Sequence, residues 1–134
     1  KQEKKLISMD LVSFADETAS ESPAPGGGSI SAYVGVLGAS LATMVANLSA
    51  GKRGWEDQLD YFSNLAEEGQ RIKSNLLFLV DEDTKAFNKI MDSFGLAKNN
   101  EAEKAIRSKA IEDATKFACE IPHKVMLEAS SALK

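Results

Sequence analysis

From Ser29 to Ala50 the chain runs for twenty-two residues without a single charge, and that run constrains the fold more than any other feature. Its length would suit a bilayer. Its make-up argues otherwise, because Ser29, Ser31, Ser40, Thr43, Asn47 and Ser49 interrupt it and most of its apolar residues are small. Gly35, Gly38, Ala39, Ala42 and Ala46 form a small-residue seam with i, i+4 pairs at 35/39, 38/42 and 42/46. Such a seam lets another helix approach closely, in a membrane or in a soluble core. A buried central helix is therefore expected in preference to a membrane span. Gly51-Lys52-Arg53-Gly54 ends it, with glycine as punctuation and two cations suited to the negative end of the helix dipole.

The approach to this helix is Ser22-Pro23-Ala24-Pro25-Gly26-Gly27-Gly28-Ser29. Proline fixes φ and glycine releases it, so the segment reads as a stiff arm entering a turn. Ser29 is expected to cap the helix. A Gly-rich turn at a helix N-terminus gathers unpaired N–H donors that suit an anionic or carbonyl-bearing ligand. The plainer alternative is a surface turn and a cap.

Helical periodicity dominates elsewhere. A first helix is expected over about Ser8 to Ser20, with Met9, Leu11, Val12, Phe14 and Ala15 on its apolar side. A long amphipathic stretch from about Trp55 to Phe94 puts Leu65, Ile72, Leu76, Leu79, Phe87, Ile90 and Phe94 on one narrow stripe. Another helix should start near Glu101 and end near Glu120, with Pro122 interrupting or kinking the chain before a last segment to Leu133. The pattern predicts an all-α helical bundle forming one domain over residues 1–134.

Composition removes several function classes. A formal charge of -4 argues against a nucleic-acid surface. The single Cys119 permits no intrachain disulfide, which fits a reducing compartment. One cysteine and one histidine, His123, cannot supply a zinc site of the usual ligand count. Lys1-Gln2-Glu3-Lys4-Lys5 carries no apolar signal core, so secretion is not expected. Lys52 lies in no Walker pattern, and the glycines follow a helix rather than a strand, which excludes a dinucleotide fingerprint.

One acidic cluster invites chemistry. In Asp81-Glu82-Asp83, a rotation of about 100° per residue puts Asp83 within the apolar stripe, between Leu79 and Phe87. Asp81 points to the opposite side and Glu82 lies off the stripe's edge. An aspartate on a buried face must be paired, hydrogen-bonded or protonated, which is the situation of a general acid. The alternative is a helix break here, with Asp83 capping a segment from Thr84 to Phe94. Lys52 and Arg53 suit a carboxylate-bearing ligand, or are simply a solvated helix end. His123 and Cys119 have no sequence neighbour that would make them catalytic.

Taken in order, the Pro/Gly arm, the small-residue helix, Gly51-Lys52-Arg53 and Leu79-Val80-Asp81-Glu82-Asp83-Thr84-Lys85-Ala86-Phe87 resemble the cyclodeaminase domain of formiminotransferase-cyclodeaminase. That family is shared with bacterial methenyltetrahydrofolate cyclohydrolases. The resemblance runs from about Asp10 to Leu133. It implies a homodimeric or higher all-α assembly in the cytoplasm, acting on tetrahydrofolate with no metal and no cofactor beyond that substrate. It also implies that Asp83, the second acid of the Val-Asp-x-Asp element, is the catalytic acid. Gly26, Gly27, Gly28 and Ser29 would line the folate groove, with Lys52 and Arg53 as its basic residues. Relatives continue with further helices where this chain stops, so a domain shortened at its C-terminal end is expected. The implied activity is cyclodeamination, with cyclohydrolase and a non-catalytic helical assembly module as alternatives.

Overall fold

The computed structural model describes residues 5–133, and among them there is no strand. The helices are α1 (Leu11–Ala19), α2 (Gly27–Ala50), α3 (Leu59–Phe94) and α4 (Glu101–Ser131), with 3-10 turns at Leu6–Ser8 and Glu56–Gln58. α2, α3 and α4 run antiparallel in succession, and α3 lies between the other two. The all-α bundle read from the periodicity is the fold.

α2 buries Ser29, Ala32, Val36, Ala39, Thr43 and Ala46, a 3-4-3-4-3 spacing that keeps one face on α3. On α3 the matching residues are Ile72, Leu76, Leu79 and Val80. Leu76 is fully enclosed, and burying such a side chain contributes about 1.5–3 kcal/mol. The two helices approach closely where a side chain is missing: a Cβ on Gly69 would stand 2.2 Å from Thr43 Oγ1. Gly35 similarly receives Leu76. The small-residue seam is thus only partly used, because Gly38 and Ala42 face outward. α2 is long and apolar enough to cross a membrane by length and composition, but its buried face packs on α3.

Several sequence expectations need correction. α3 is continuous for 36 residues, so no break occurs at Asp83. Leu65 and Phe94 on its expected stripe are exposed, because the neighbouring helices leave them uncovered. α4 passes through Pro122 without ending. Pro122 is exposed, and burial of Ile121 and Val125 beside it holds the helix through the missing hydrogen bond. Ser29 is the third residue of α2, and Gly26 is the cap, with extended backbone.

α1 is shorter than its pattern. Met9 and Phe14 pack on the core, whereas Leu11 and Val12 are exposed. Its start is set by Asp10, whose Oδ1 accepts the Val12 and Ser13 amides at 3.0 and 2.9 Å. The Ser13 hydroxyl donates to Oδ2 at 2.6 Å. These bonds, the Ser13 hydroxyl first, hold the carboxyl below its ordinary 3.8. The cap is therefore complete above that value and fades as pH falls through the lower one in the folded protein. An NMR titration should place the Asp10 midpoint below 3.8, and Ser13→Ala should move it upward.

Candidate active site

The three glycines leave the first turn of α2 without side chains, and the carboxylate of Asp83 fills the space. Asp83 Oδ2 accepts the Ser29 amide at 2.9 Å and lies 3.2 Å from Ser29 Oγ. That hydroxyl is fully buried and sits 2.8 Å from the Val80 carbonyl and 3.4 Å from Thr84 Oγ1. Its one hydrogen goes to the closer acceptor, Val80, so the amide is the firm donor to Asp83. A carboxylate at a helix N-terminus is also favoured by the dipole. Gly28 is what allows this seating: a Cβ there would fall 2.0 Å from Asp83 Oδ1 and 2.4 Å from Cγ.

Because Ser29 gives its amide to Asp83, the donors left at this helix end for a ligand are the Gly27 and Gly28 amides. Asp83 is half-buried and lines a cavity of about 160 Å³ with Pro23, Ala24, Gly26, Thr84, Ala86, Phe87, Ile90 and Ala118. A second cavity of about 420 Å³ lies alongside, lined by Lys5, Leu6, Met9, Glu17, Ala24, Asp81, Thr84 and Lys85. Ala24 and Thr84 face both. The arrangement is an acid held at one oxygen, lining the smaller of two adjoining, mainly apolar spaces. It can transfer a proton to a group bound beside it.

Asp81 is the more deeply buried acid, although the helical wheel turned it away from the stripe. Its Oδ1 accepts the Leu6 amide at 2.8 Å and so ties down a segment 75 residues away. α3 is covered by the N-terminal turn on a side that a single-face wheel treats as solvent. Glu82 pairs with Lys85 at 2.6 Å. Lys52 and Arg53 are exposed and lie past the other end of α2. Twenty-four residues at 1.5 Å each separate them from Gly26 by about 36 Å. Within one chain, the basic pair and the Asp83 site do not meet. Among the described residues no three His, Cys, Asp or Glu side chains converge as a metal site would need.

The family model described as formiminotransferase-cyclodeaminase matches residues 10–134. The chain belongs to that family. This formiminotransferase-cyclodeaminase member is 36% identical over 112 residues to the methenyltetrahydrofolate cyclohydrolase of Methylorubrum extorquens, covering 84% of this chain and 54% of that protein. It is 33% identical to the formimidoyltransferase-cyclodeaminase of Gallus gallus over 90% of this chain and 22% of that one. The crystal structure of formiminotetrahydrofolate cyclodeaminase from Thermotoga maritima superposes with a TM-score of 0.77 at 30% identity, over 92% of this chain and 58% of that chain. The chain thus spans about half the length of the bacterial relatives it matches.

Thr84 and Ala24, where the two cavities join, lie within the two motifs of this cyclodeaminase-family domain, but nothing in the sequence assigns them a place at the site. Their role comes from the Pro/Gly arm folding against α3, a contact across more than fifty residues.

Proposed function

We propose that the chain carries a formimidoyltetrahydrofolate cyclodeaminase site, an ammonia-lyase that closes 5-formiminotetrahydrofolate to the 5,10-methenyl compound. The observation that carries the reading is the Asp83 carboxylate, fixed through one oxygen by Ser29 at the mouth of an apolar cavity. In the reaction N10 bonds to the formimino carbon and gives up its proton, and the amino nitrogen is protonated and leaves as ammonia. A single positioned acid/base can do both transfers, and Asp83 takes that role here. The Gly26, Gly27, Gly28 and Ser29 turn positions the pterin, with the Gly27 and Gly28 amides as its donors. Holding N10 against the formimino carbon supplies the rest of the acceleration. The reaction so written uses no metal and no cofactor beyond the tetrahydrofolate substrate, and it belongs in the cytoplasm.

The Methylorubrum relative favours a second reading, hydrolysis of the methenyl bridge to the 10-formyl compound. There Asp83 would take a proton from the attacking water and return it to N5 as the carbon–N5 bond breaks. Two assays on the same preparation separate the readings. Cyclodeamination predicts ammonia release from 5-formiminotetrahydrofolate with the methenyl chromophore accumulating. Loss of that chromophore from added methenyltetrahydrofolate, without ammonia release from the formimino compound, would assign the hydrolase instead.

A further inference from the structure

Asp81 is a buried acid whose bonding is used on one side only. It is 9% exposed, and its Oδ1 accepts the Leu6 amide at 2.8 Å. Its Oδ2 has no hydrogen-bond partner among the described residues, and the residue lines the larger cavity of about 420 Å³. Holding one main-chain amide needs only an acceptor, and an asparagine carbonyl would do so at a smaller desolvation cost. The charge at this position calls for a donor that arrives from the cavity. Lys5, Glu17 and Lys85 line the same space, but all three are more exposed than Asp81 and form its rim, where Lys85 pairs with Glu82.

We propose that Asp81 recognises the folate ring: its carboxylate accepts the 2-amino group and the N3–H of a pterin seated in the larger cavity. The assignment rests on the folate reading of the site and applies equally to ring closure and to hydrolysis. These two N–H groups lie side by side on a 2-amino-4-oxo ring, as on the edge of a guanidinium, and a carboxylate meets such an edge with both oxygens. Oδ2 is open to one of them. Oδ1 keeps a second lone pair, beside the Leu6 amide, for the other. The Gly27 and Gly28 amides cannot take this part, because they are donors and suit the ring's carbonyl. Asp83 is the other acceptor at hand, but as the proton-transfer group it must meet the reacting nitrogens.

Position agrees with this division. Asp81 and Asp83 stand two residues apart on α3, so about 200° of rotation sets them on opposite sides of the helix. Thr84 falls on the arc between them and, with Ala24, faces both cavities. A ring held by one edge at Asp81 extends towards Thr84. N5, on the ring's other edge, then brings its formimino group into the smaller cavity, where Asp83 is. Recognition and proton transfer are thus shared between two acids of one helical turn, each anchored through one oxygen by a main-chain amide.

The first test compares two ligands. Tetrahydrofolate and its 2-desamino analogue differ only in the group that Asp81 accepts. By calorimetry the wild-type protein should bind the analogue about ten- to a hundredfold more weakly, the worth of a hydrogen bond to a charged group. Asp81→Asn should bind tetrahydrofolate more weakly by a similar factor and no longer favour it over the analogue. Equal affinities in the wild type, or a preference as large in the variant as in the wild type, would overturn the assignment.

The second test separates action on the ligand from action on the chain. Asparagine keeps a carbonyl for the Leu6 amide, so hydrogen exchange there should stay slow in Asp81→Asn and become fast in Asp81→Ala. KM for the folate substrate should rise about ten- to a hundredfold in Asp81→Asn while kcat changes far less, the reverse of what removing a proton-transfer group does. A loss confined to kcat, or a raised KM only where the Leu6 amide exchanges fast, would make Asp81 a structural anchor and refute the proposal. Should both substitutions release Leu6, the comparison of ligands on the wild-type protein still decides. Wild-type protein that binds no tetrahydrofolate would instead refute the folate reading itself.

Discussion

Asp83→Asn should lower ammonia release by about a hundred- to ten-thousand-fold, the range a positioned proton-transfer group contributes. The fold should survive. Asparagine keeps the shape of aspartate and can turn its carbonyl oxygen toward the Ser29 amide, which now donates to Oδ2 at 2.9 Å. What it loses is a negative charge on the first turn of α2, worth about 0.3–1 kcal/mol, so thermal unfolding should shift by only a few degrees. KM for the formimino substrate should move far less than kcat, because the removed interaction acts on the proton in transit. Full-rate turnover by the asparagine variant, with unfolding unchanged, would remove Asp83 from the chemistry. Ammonia release is measured directly and distinguishes this result from a folate-binding defect.

The sequence carried the helices more completely than it carried the site. The charge-free run ending at Gly51 located α2 to within two residues, because burial, length and glycine punctuation all speak locally. It could not divide that helix into a covered face and an open one. Both faces are apolar, and only the position of α3 distinguishes Val36 from Val34. Pro122 misled for the opposite reason. Its local penalty is real, but the burial of Ile121 and Val125 outweighs it through contacts with the core.

Asp83 stood out in the sequence because it interrupts an apolar stripe. Its partner, the Ser29 amide 54 residues earlier, did not. The sequence placed Ser29 as a cap by its chemistry; two glycines before it allow one more half-turn, and the cap passes to Gly26. The wheel turns Asp81 away from the stripe and gives no sign of its burial, because its cover is the Leu6 backbone, and a main-chain donor from a distant turn leaves no trace in side-chain periodicity.

Gly28→Ala should destabilise the protein in the wild-type background and stabilise it once Asp83 is shortened. In an unobstructed helix, alanine is preferred to glycine by about 1 kcal/mol. Here the added methyl would stand 2.0, 2.4 and 2.6 Å from Oδ1, Cγ and Oδ2 of Asp83, so no small rotation of the carboxylate relieves it. Asp83 must swing away and lose the Ser29 amide, or the first turn of α2 must shift. Overpacking of this kind costs about 1–3 kcal/mol, which exceeds the propensity gain. Turnover should fall with stability, since the acid is displaced from the cavity it lines. In an Asp83→Ala chain the three crowding atoms are gone, and the same Gly28→Ala change should raise the unfolding midpoint. Denaturant unfolding of the four proteins gives the coupling directly. Equal effects of Gly28→Ala in both backgrounds would show that the carboxylate does not rest on this turn, and the geometry proposed for the acid would fall with it.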